Sequence, residues 1–296
     1  MRPRERQVVN AKCSSANRCG FTLIELLVVL AIIALLMAML VPVLGRVRRQ
    51  AKALRCGANL QQWGRILALY VEDNEGHLPQ SRTGAMWLLR GLAPSEDHPR
   101  KPDVYSPVYT EGIACCPMAV RPARQTRQTI TESTEGLFGP WSVRYMHGGP
   151  FDAWEITSPG PPFCGSYGFN QWLLEPLFGF FGRTKWLGPD LFSLRRKPDI
   201  PVLLDCPVPY AWPRAQHIPP PELSAVGVSE MARFCVDRHD AQTNGLFLDW
   251  SVRQIGLKEL WTLRWHRDFN TAGHWTKAGG ILPDDWPPWM RRFKDY

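Results

Sequence analysis

No Gly-x-Ser-x-Gly, no His-Glu-x-x-His and no phosphate-cradling glycine loop occurs in these 296 residues. No motif places a nucleophile, a catalytic zinc or a nucleotide, so the sequence points away from an enzyme. Cys-x-x-Cys is also missing, and no His stands at zinc-ligand spacing, so no motif specifies a zinc site and no cofactor is expected. No fixed-period repeat is visible. Charge, finally, is almost absent from one stretch.

That stretch is Gly20 to Pro42, GFTLIELLVVLAIIALLMAMLVP. Glu25 is its only formal charge, and Leu26 to Val41 are sixteen unbroken apolar residues. Counted through Leu44, the run approaches the ~20 residues that cross a hydrocarbon core of ~30 Å. It reads as a membrane segment. Ahead of it lie Arg2, Arg4, Arg6, Lys12 and Arg18 against the single acid Glu5. A basic flank of this kind stays cytoplasmic, so the rest of the chain is expected outside. A secretory signal would have a shorter apolar core and a small-residue cleavage site after it. Here the small residue, Gly20, comes before the apolar run. Glu25 is then a lone carboxylate at membrane depth, where an acid is expensive and kept for a partner.

Gly20-Phe21-Thr22-Leu23-Ile24-Glu25-Leu26 resembles the processing site of type IV prepilins and of the pseudopilins of type II secretion systems. The resemblance implies cleavage after Gly20 by a prepilin peptidase and N-methylation of Phe21. It implies that Glu25 is the family's assembly acid, pairing with the N-terminal amine of a neighbouring subunit's Phe21. Pro42, the twenty-second residue after the cleavage point, matches the family's helix-kinking proline.

The formal net charge is +8. Without residues 1–20, thirty basic residues stand against twenty-six acidic ones, a balance of +4. Half of the basicity is a topology signal, which argues against a nucleic-acid partner. Of eight cysteines, Cys13 and Cys19 would leave with the leader. Cys56, Cys115, Cys116, Cys164, Cys206 and Cys235 remain, an even number outside the cytoplasm, which suggests up to three disulfides.

Beyond Pro42, apolar residues recur at helical spacing through Leu44, Val47, Ala51, Leu54 and Ala58, then Trp63, Ile66, Leu67 and Tyr70. Glu72-Asp73-Asn74-Glu75-Gly76 closes this helix before Pro79. The spacing predicts about fifty residues of helix, ~75 Å long, with an apolar inner half and an amphipathic outer half that must lie on the head. From Ser81 to Pro201 the chain reads as loop-rich, with a short helix around Trp87-Leu88-Leu89 and an exposed polar loop from Gln125 to Glu135. Cys115-Cys116-Pro117 and Ser166-Tyr167-Gly168-Phe169-Asn170 read as ordered islands, and Pro201 to Asp205 as a strand.

Leu246–Leu248 and Val252–Ile255 flank a tight connection at Asp249 to Ser251, a hairpin pattern. With His239 nine residues before Asp249, the segment resembles the His-x9-Asp-Gly signature of pseudopilin-like proteins of planctomycete-type bacteria. Trp250 replaces the glycine, and a bulky residue resists the positive φ of a two-residue turn, so a wider turn is expected. Three roles for His239 and Asp249 are open: a hydrogen bond that fixes the turn, a metal site (calcium included) or a catalytic pair. Thirteen tryptophans, five of them in the last forty residues, read mainly as packing anchors, with ligand stacking as the other use. Pro287-Pro288 and Arg291-Arg292 suggest a tail lying on the surface.

The fold expected is α+β: a long N-terminal helix packed on a C-terminal head with a short antiparallel sheet and long loops. The expected divisions are a leader over 1–20, a transmembrane helix over 21–44, an amphipathic helix over 45–75 and a head over 76–296. The expected function is a pilin-like filament subunit of a type II secretion or pilus system. Its partners would be a prepilin peptidase, other pilin-like subunits in homo- or hetero-filaments and an inner-membrane assembly platform. It would sit in the inner membrane by a single span, with its N-terminus cytoplasmic, before joining the filament. The other reading is a membrane-anchored module that binds glycan or cargo through exposed Trp.

Overall fold

The computed structural model describes residues 22–78, 112–122, 131–133, 144–158, 162–174 and 198–296. Gly20, Phe21 and the helix expected around Trp87 lie outside them. The chain divides into two units, one ending at Val47 and the other running from Arg48 to Tyr296.

Helix α1 spans Leu23–Asp73, 51 residues, with Pro42 inside it. It begins with a reciprocal cap. The Thr22 N–H and hydroxyl each donate to Glu25 Oε2 at 2.8 Å, and the Glu25 N–H donates to Thr22 Oγ1 at 3.2 Å. This capping box satisfies backbone donors that have no intrahelical partner. The apolar first half is long and apolar enough to cross a membrane, and none of it is buried against the protein. The helix ends where Glu75 turns left-handed (φ 53°) and the Gly76 N–H donates to Val71 O at 2.7 Å, a Schellman closure.

The unit from Arg48 onward is built on two five-stranded sheets. The first joins β1 (Arg121–Pro122), β4 (Asp152–Ser158), β3 (Arg144–Met146) and β2 (Thr131–Ser133) in that order, with β5 (Phe163–Gly165) also on β4. The second runs β10 (Val252–Gly256), β9 (Gln242–Phe247), β7 (Pro201–Asp205), β6 (Tyr167–Asn170) and β8 (Tyr210–Ala211). Both are mixed: β1–β4 and β6–β8 are parallel, the other pairs antiparallel. The class is α+β as expected, with more sheet than the sequence suggested. Thr131–Ser133 is a strand inside the segment read as a polar loop; β3 supplies the pairing that its own residues do not specify.

Strand β7 is buried along its whole length. Leu203 and its neighbour Leu246 join the cluster formed with Cys56, Leu60, Trp63 and Leu67 of α1. Leu204 and Phe247 belong to a second cluster with Trp261, Trp265, Trp286 and Met290. A two-residue side-chain period thus lets one strand bind the helix with one face and the C-terminal tail with the other. The tail does not lie loosely on the surface. Trp286 and Met290 are buried and Phe293 is nearly so, because burying these large side chains outweighs the surface bias of the adjacent prolines and arginines. Of the last five tryptophans, Trp261, Trp265 and Trp286 are buried, and Trp275 and Trp289 are half-buried against the same cluster.

Candidate functional site

Side-chain alternation along β7 puts Asp205 on the same face as Leu203, toward α1. Asp205 is fully buried, and four separate segments converge on it. From α1, Cys56 Sγ lies 3.6 Å from both carboxylate oxygens. The Tyr167 hydroxyl of β6 donates to Cys56 Sγ at 3.3 Å. From the loop before β1 comes Cys116, whose backbone N–H donates to Ser166 Oγ at 2.6 Å. Asn59 Nδ2 and Trp63 Nε1 of α1 hold the same loop by donating to Cys115 O and Ile113 O, both at 3.0 Å.

The fourth segment leads into β9. Asp240 and Ala241 both have positive φ, 61° and 65°, a sharp turn closed by the Ala241 N–H donating to Asp237 Oδ1. The turn points Arg238 and His239 inward. Arg238 Nη1 lies 3.2 Å from Asp205 Oδ1, and His239 Nε2 lies 3.1 Å from Asp205 Oδ2. The same Nε2 is 3.3 Å from Cys116 Sγ. The Asn244 N–H donates to Asp205 Oδ2 at 3.0 Å. Arg238 spends its other donors on Ser166 O and Pro150 O, each at 2.6 Å.

The electrostatics follow from these contacts. Burial would raise Asp205, but the hydrogen bond and charge of His239, with Arg238, hold it down to about 2. Burial lowers His239, yet its bonds to Asp205 and Cys116 bring it up to about 9. Burial pushes the Cys116 thiol up, and hydrogen bonds from Cys56 and His239 bring it back to about 7. For Cys56, burial dominates and its thiol is raised well above the ordinary range. The group therefore combines a carboxylate, an imidazolium, a thiolate and a thiol, with Arg238 as the second cation.

A catalytic relay does not fit this geometry. In a nucleophilic triad the carboxylate binds one imidazole nitrogen and the nucleophile the other. Here Asp205 and Cys116 both face Nε2, while the buried Nδ1 has no hydrogen-bond partner among the described residues.

The other sequence-derived residues fall elsewhere. His239 takes Asp205, not Asp249, as its carboxylate. Asp249 sits in the β9–β10 turn and accepts from the Ser251 N–H at 3.0 Å and hydroxyl at 2.6 Å. That turn has three residues between Phe247 and Ser251 and is wider than a two-residue turn, but Trp250 takes the positive φ, 65°, that its bulk was expected to resist. All six described cysteines are free thiols, where disulfides were expected. Cys56 and Cys116 are engaged with Asp205 and His239; Cys206 and Cys235 are buried in the tail cluster; Cys115 points its thiol at the Cys164 carbonyl at 3.5 Å. Glu25 is exposed at the start of α1, turned back on Thr22. Arg238, Asp205, Ser166 and Asn244 were not singled out as site residues. Asp205 and Ser166 stood only as landmarks at the edges of apolar segments.

No curated protein and no solved structure matches the chain. Residues 15–41, which include the apolar start of α1, match the family model described as the prokaryotic N-terminal methylation motif, and over that stretch the chain is similar to type IV pilins and pseudopilins.

Proposed function

We propose that this pilin-like protein is a pseudopilin-type structural subunit of a type II secretion or pilus-like filament. Prepilin peptidase cleaves it after Gly20 and methylates Phe21. Before assembly the N-terminus is cytoplasmic, a single span holds the chain in the inner membrane, and the head lies outside. Subunits are then extracted through the assembly platform into a helical bundle of homologous or mixed subunits.

The observation that carries this reading is the state of the first half of α1. Its apolar side chains are exposed along the whole stretch, from 43% at Val29 to 78% at Leu23. Such a surface needs lipid first and neighbouring helices later. A repeating head-to-tail contact that does not close on itself generates an open helical filament, which would bury these side chains against copies of themselves. Glu25, the one charge in this surface, supplies axial register if it pairs with the amine of an adjacent Phe21. The rival glycan-binding module loses support from the packing of the tail, where no tryptophan ring stands free.

Mass spectrometry of the protein from native membranes tests the reading directly. An N-terminal N-methyl-phenylalanine at position 21 and recovery in sheared, pelletable filaments are expected. An intact N-terminus from Met1 in the soluble cytosolic fraction refutes it.

A further inference from the structure

We propose that Cys56, Cys116, Asp205 and His239 form a binding site for one thiophilic divalent cation of the zinc type, which clips helix α1 to the sheet it lies on. The four ligand atoms lie within 4.8 Å of one another, and all four residues are buried. Two sulfurs, one imidazole nitrogen and one carboxylate oxygen are all zinc ligand types, and the set differs from the common structural Cys2His2 set by a carboxylate in place of one imidazole.

Three of the six ligand pairs come close to the edges of a tetrahedral ion, and the set as a whole, within 4.8 Å, must tighten to close on one. Ligand distances of ~2.0–2.3 Å imply tetrahedron edges of about 3.3–3.8 Å between ligand atoms. The pairs observed are 3.1 Å for Nε2–Oδ2, 3.3 Å for Nε2–Sγ of Cys116 and 3.6 Å for Sγ of Cys56 to either carboxylate oxygen. A single N–H on Nε2 can aim at only one of the two acceptors that face it. A cation between them satisfies both, together with the Cys56 sulfur.

Charge and orientation are also provided. Two thiolates and a carboxylate carry −3 against +2 for the ion, and Arg238, 3.2 Å from Asp205 Oδ1, supplies the remaining +1. Asp205 then uses Oδ2 on the ion and Oδ1 on Arg238, while the Asn244 N–H fixes the carboxylate plane. Such outer contacts orient the ligands of metal sites. On binding, the Cys56 thiol proton and the Nε2 proton go to solvent, and nothing is oxidised or reduced. A ligand set drawn from positions 56, 116, 205 and 239 has no local spacing motif, because the fold rather than a knuckle gathers it.

The test uses the full chain in detergent, dialysed against zinc, passed over a weak chelator and analysed by elemental mass spectrometry. About one zinc per chain is expected. Replacement by Co2+ should give the intense visible absorption of a tetrahedral thiolate site. Cys56→Ser and His239→Ala should each weaken zinc binding by more than about a hundredfold, beyond the effect of losing an outer contact. Asp249→Ala, remote from the ligands, should leave it unchanged. Folding of each variant is checked by the environment of the buried tryptophans. Since a ligand variant can unfold the head, the unaltered protein decides alone: folded chain with less than about a tenth of an equivalent of zinc overturns the proposal. So does a native Cys56–Cys116 disulfide in peptide maps, or full zinc retention in a folded Cys56→Ser chain.

Discussion

His239 Nε2 stands 3.1 Å from Asp205 Oδ2, joining a residue of the loop before β9 to the end of β7. The nine-residue spacing in sequence connects His239 to Asp249, but the buried ion pair connects it to Asp205. With Arg238 on the other oxygen, Asp205 is the common counter-charge of two buried cations. Asp205→Asn leaves Arg238 in the interior without its anion. A broken buried pair costs about 3–5 kcal/mol. Asp249→Asn keeps an acceptor for Ser251 in an exposed turn and should cost under about 1 kcal/mol. Urea unfolding of the two variants in chelator checks the contrast; equal losses would return His239 to the Asp249 partnership.

Glu75 should gain from becoming glycine. It closes α1 with a φ of 53° and its side chain is exposed, so no packing compensates the left-handed backbone. Left-handed backbone disfavours a side-chain-bearing residue by ~1–2 kcal/mol, part of which is recovered in the greater freedom of an unfolded glycine. Glu75→Gly is expected to stabilise the head by about 0.5–1 kcal/mol, read as a higher urea midpoint at unchanged slope.

Acid should weaken the tail cluster before it touches Asp205. His266 packs edge-on to Trp172, ring centroids 4.9 Å apart, and Phe269 at 5.3 Å. Burial, with the Arg214 charge, lowers it to about 4 against an unfolded value of ~6.5, with Asp268 acting the other way. Between those values the unfolded chain holds more protons. The stability from a neutral His266 is therefore complete above about pH 6.5 and is lost as pH falls toward 4, by at most about 3 kcal/mol. His217 has the same sign: burial first, then Arg214 and Arg233, lowers it to about 4. Unfolding followed from pH 7.5 to 4.5 in chelator should show this slope, and His266→Phe should flatten it.

Trp261 distinguishes packing from ligand stacking. It is buried, its Nε1 donates to His217 O at 2.8 Å and its ring meets Trp286 edge-on at 5.5 Å. Trp261→Ala should cost about 3–5 kcal/mol, and half-buried Trp289→Ala less. Loss of polysaccharide retention with unchanged stability would instead place these rings in a binding surface.

What the sequence disclosed follows the range of the interactions involved. Helix α1 and its stop were legible because the apolar run and Glu72-Asp73-Asn74-Glu75-Gly76 act within a turn or two of themselves. Strand β7 and the β9–β10 hairpin announced themselves through a short apolar segment ending in Asp205 and a turn bracketed by apolar runs. Strand β2 did not, since Thr131–Ser133 owes its conformation to β3. In the tail the tryptophans were legible as packing anchors, while the surface position suggested by Pro287-Pro288 and Arg291-Arg292 gives way to the burial of Trp286 and Met290. The site was least legible: its residues come from positions 56, 116, 205 and 239, on a helix, a strand and two loops that only the tertiary fold brings together. Local reading found His239 and left its role open between a turn hydrogen bond, a metal site and a catalytic pair; Asp205, its carboxylate partner, lies 34 residues away in sequence.

The cap that Glu25 makes and the subunit pairing proposed for it are separated by one pair of substitutions. In the single chain its carboxylate caps α1 through Thr22, as the N3 member of the capping box. In the proposed filament it also pairs with the amine of a neighbouring Phe21. At ~4 Å and an effective dielectric of ~20 such a pair is attractive by about 4 kcal/mol, and an unpaired carboxylate among apolar helices is disfavoured further. Glu25→Gln keeps an oxygen for the Thr22 cap but removes the charge; Thr22→Ala removes the cap but keeps the charge. Both variants should still be cleaved after Gly20. Glu25→Gln should abolish pelletable filaments, and Thr22→Ala should assemble with only a modest loss. The opposite ranking in a shearing and pelleting assay would make Glu25 a helix cap and remove it from assembly.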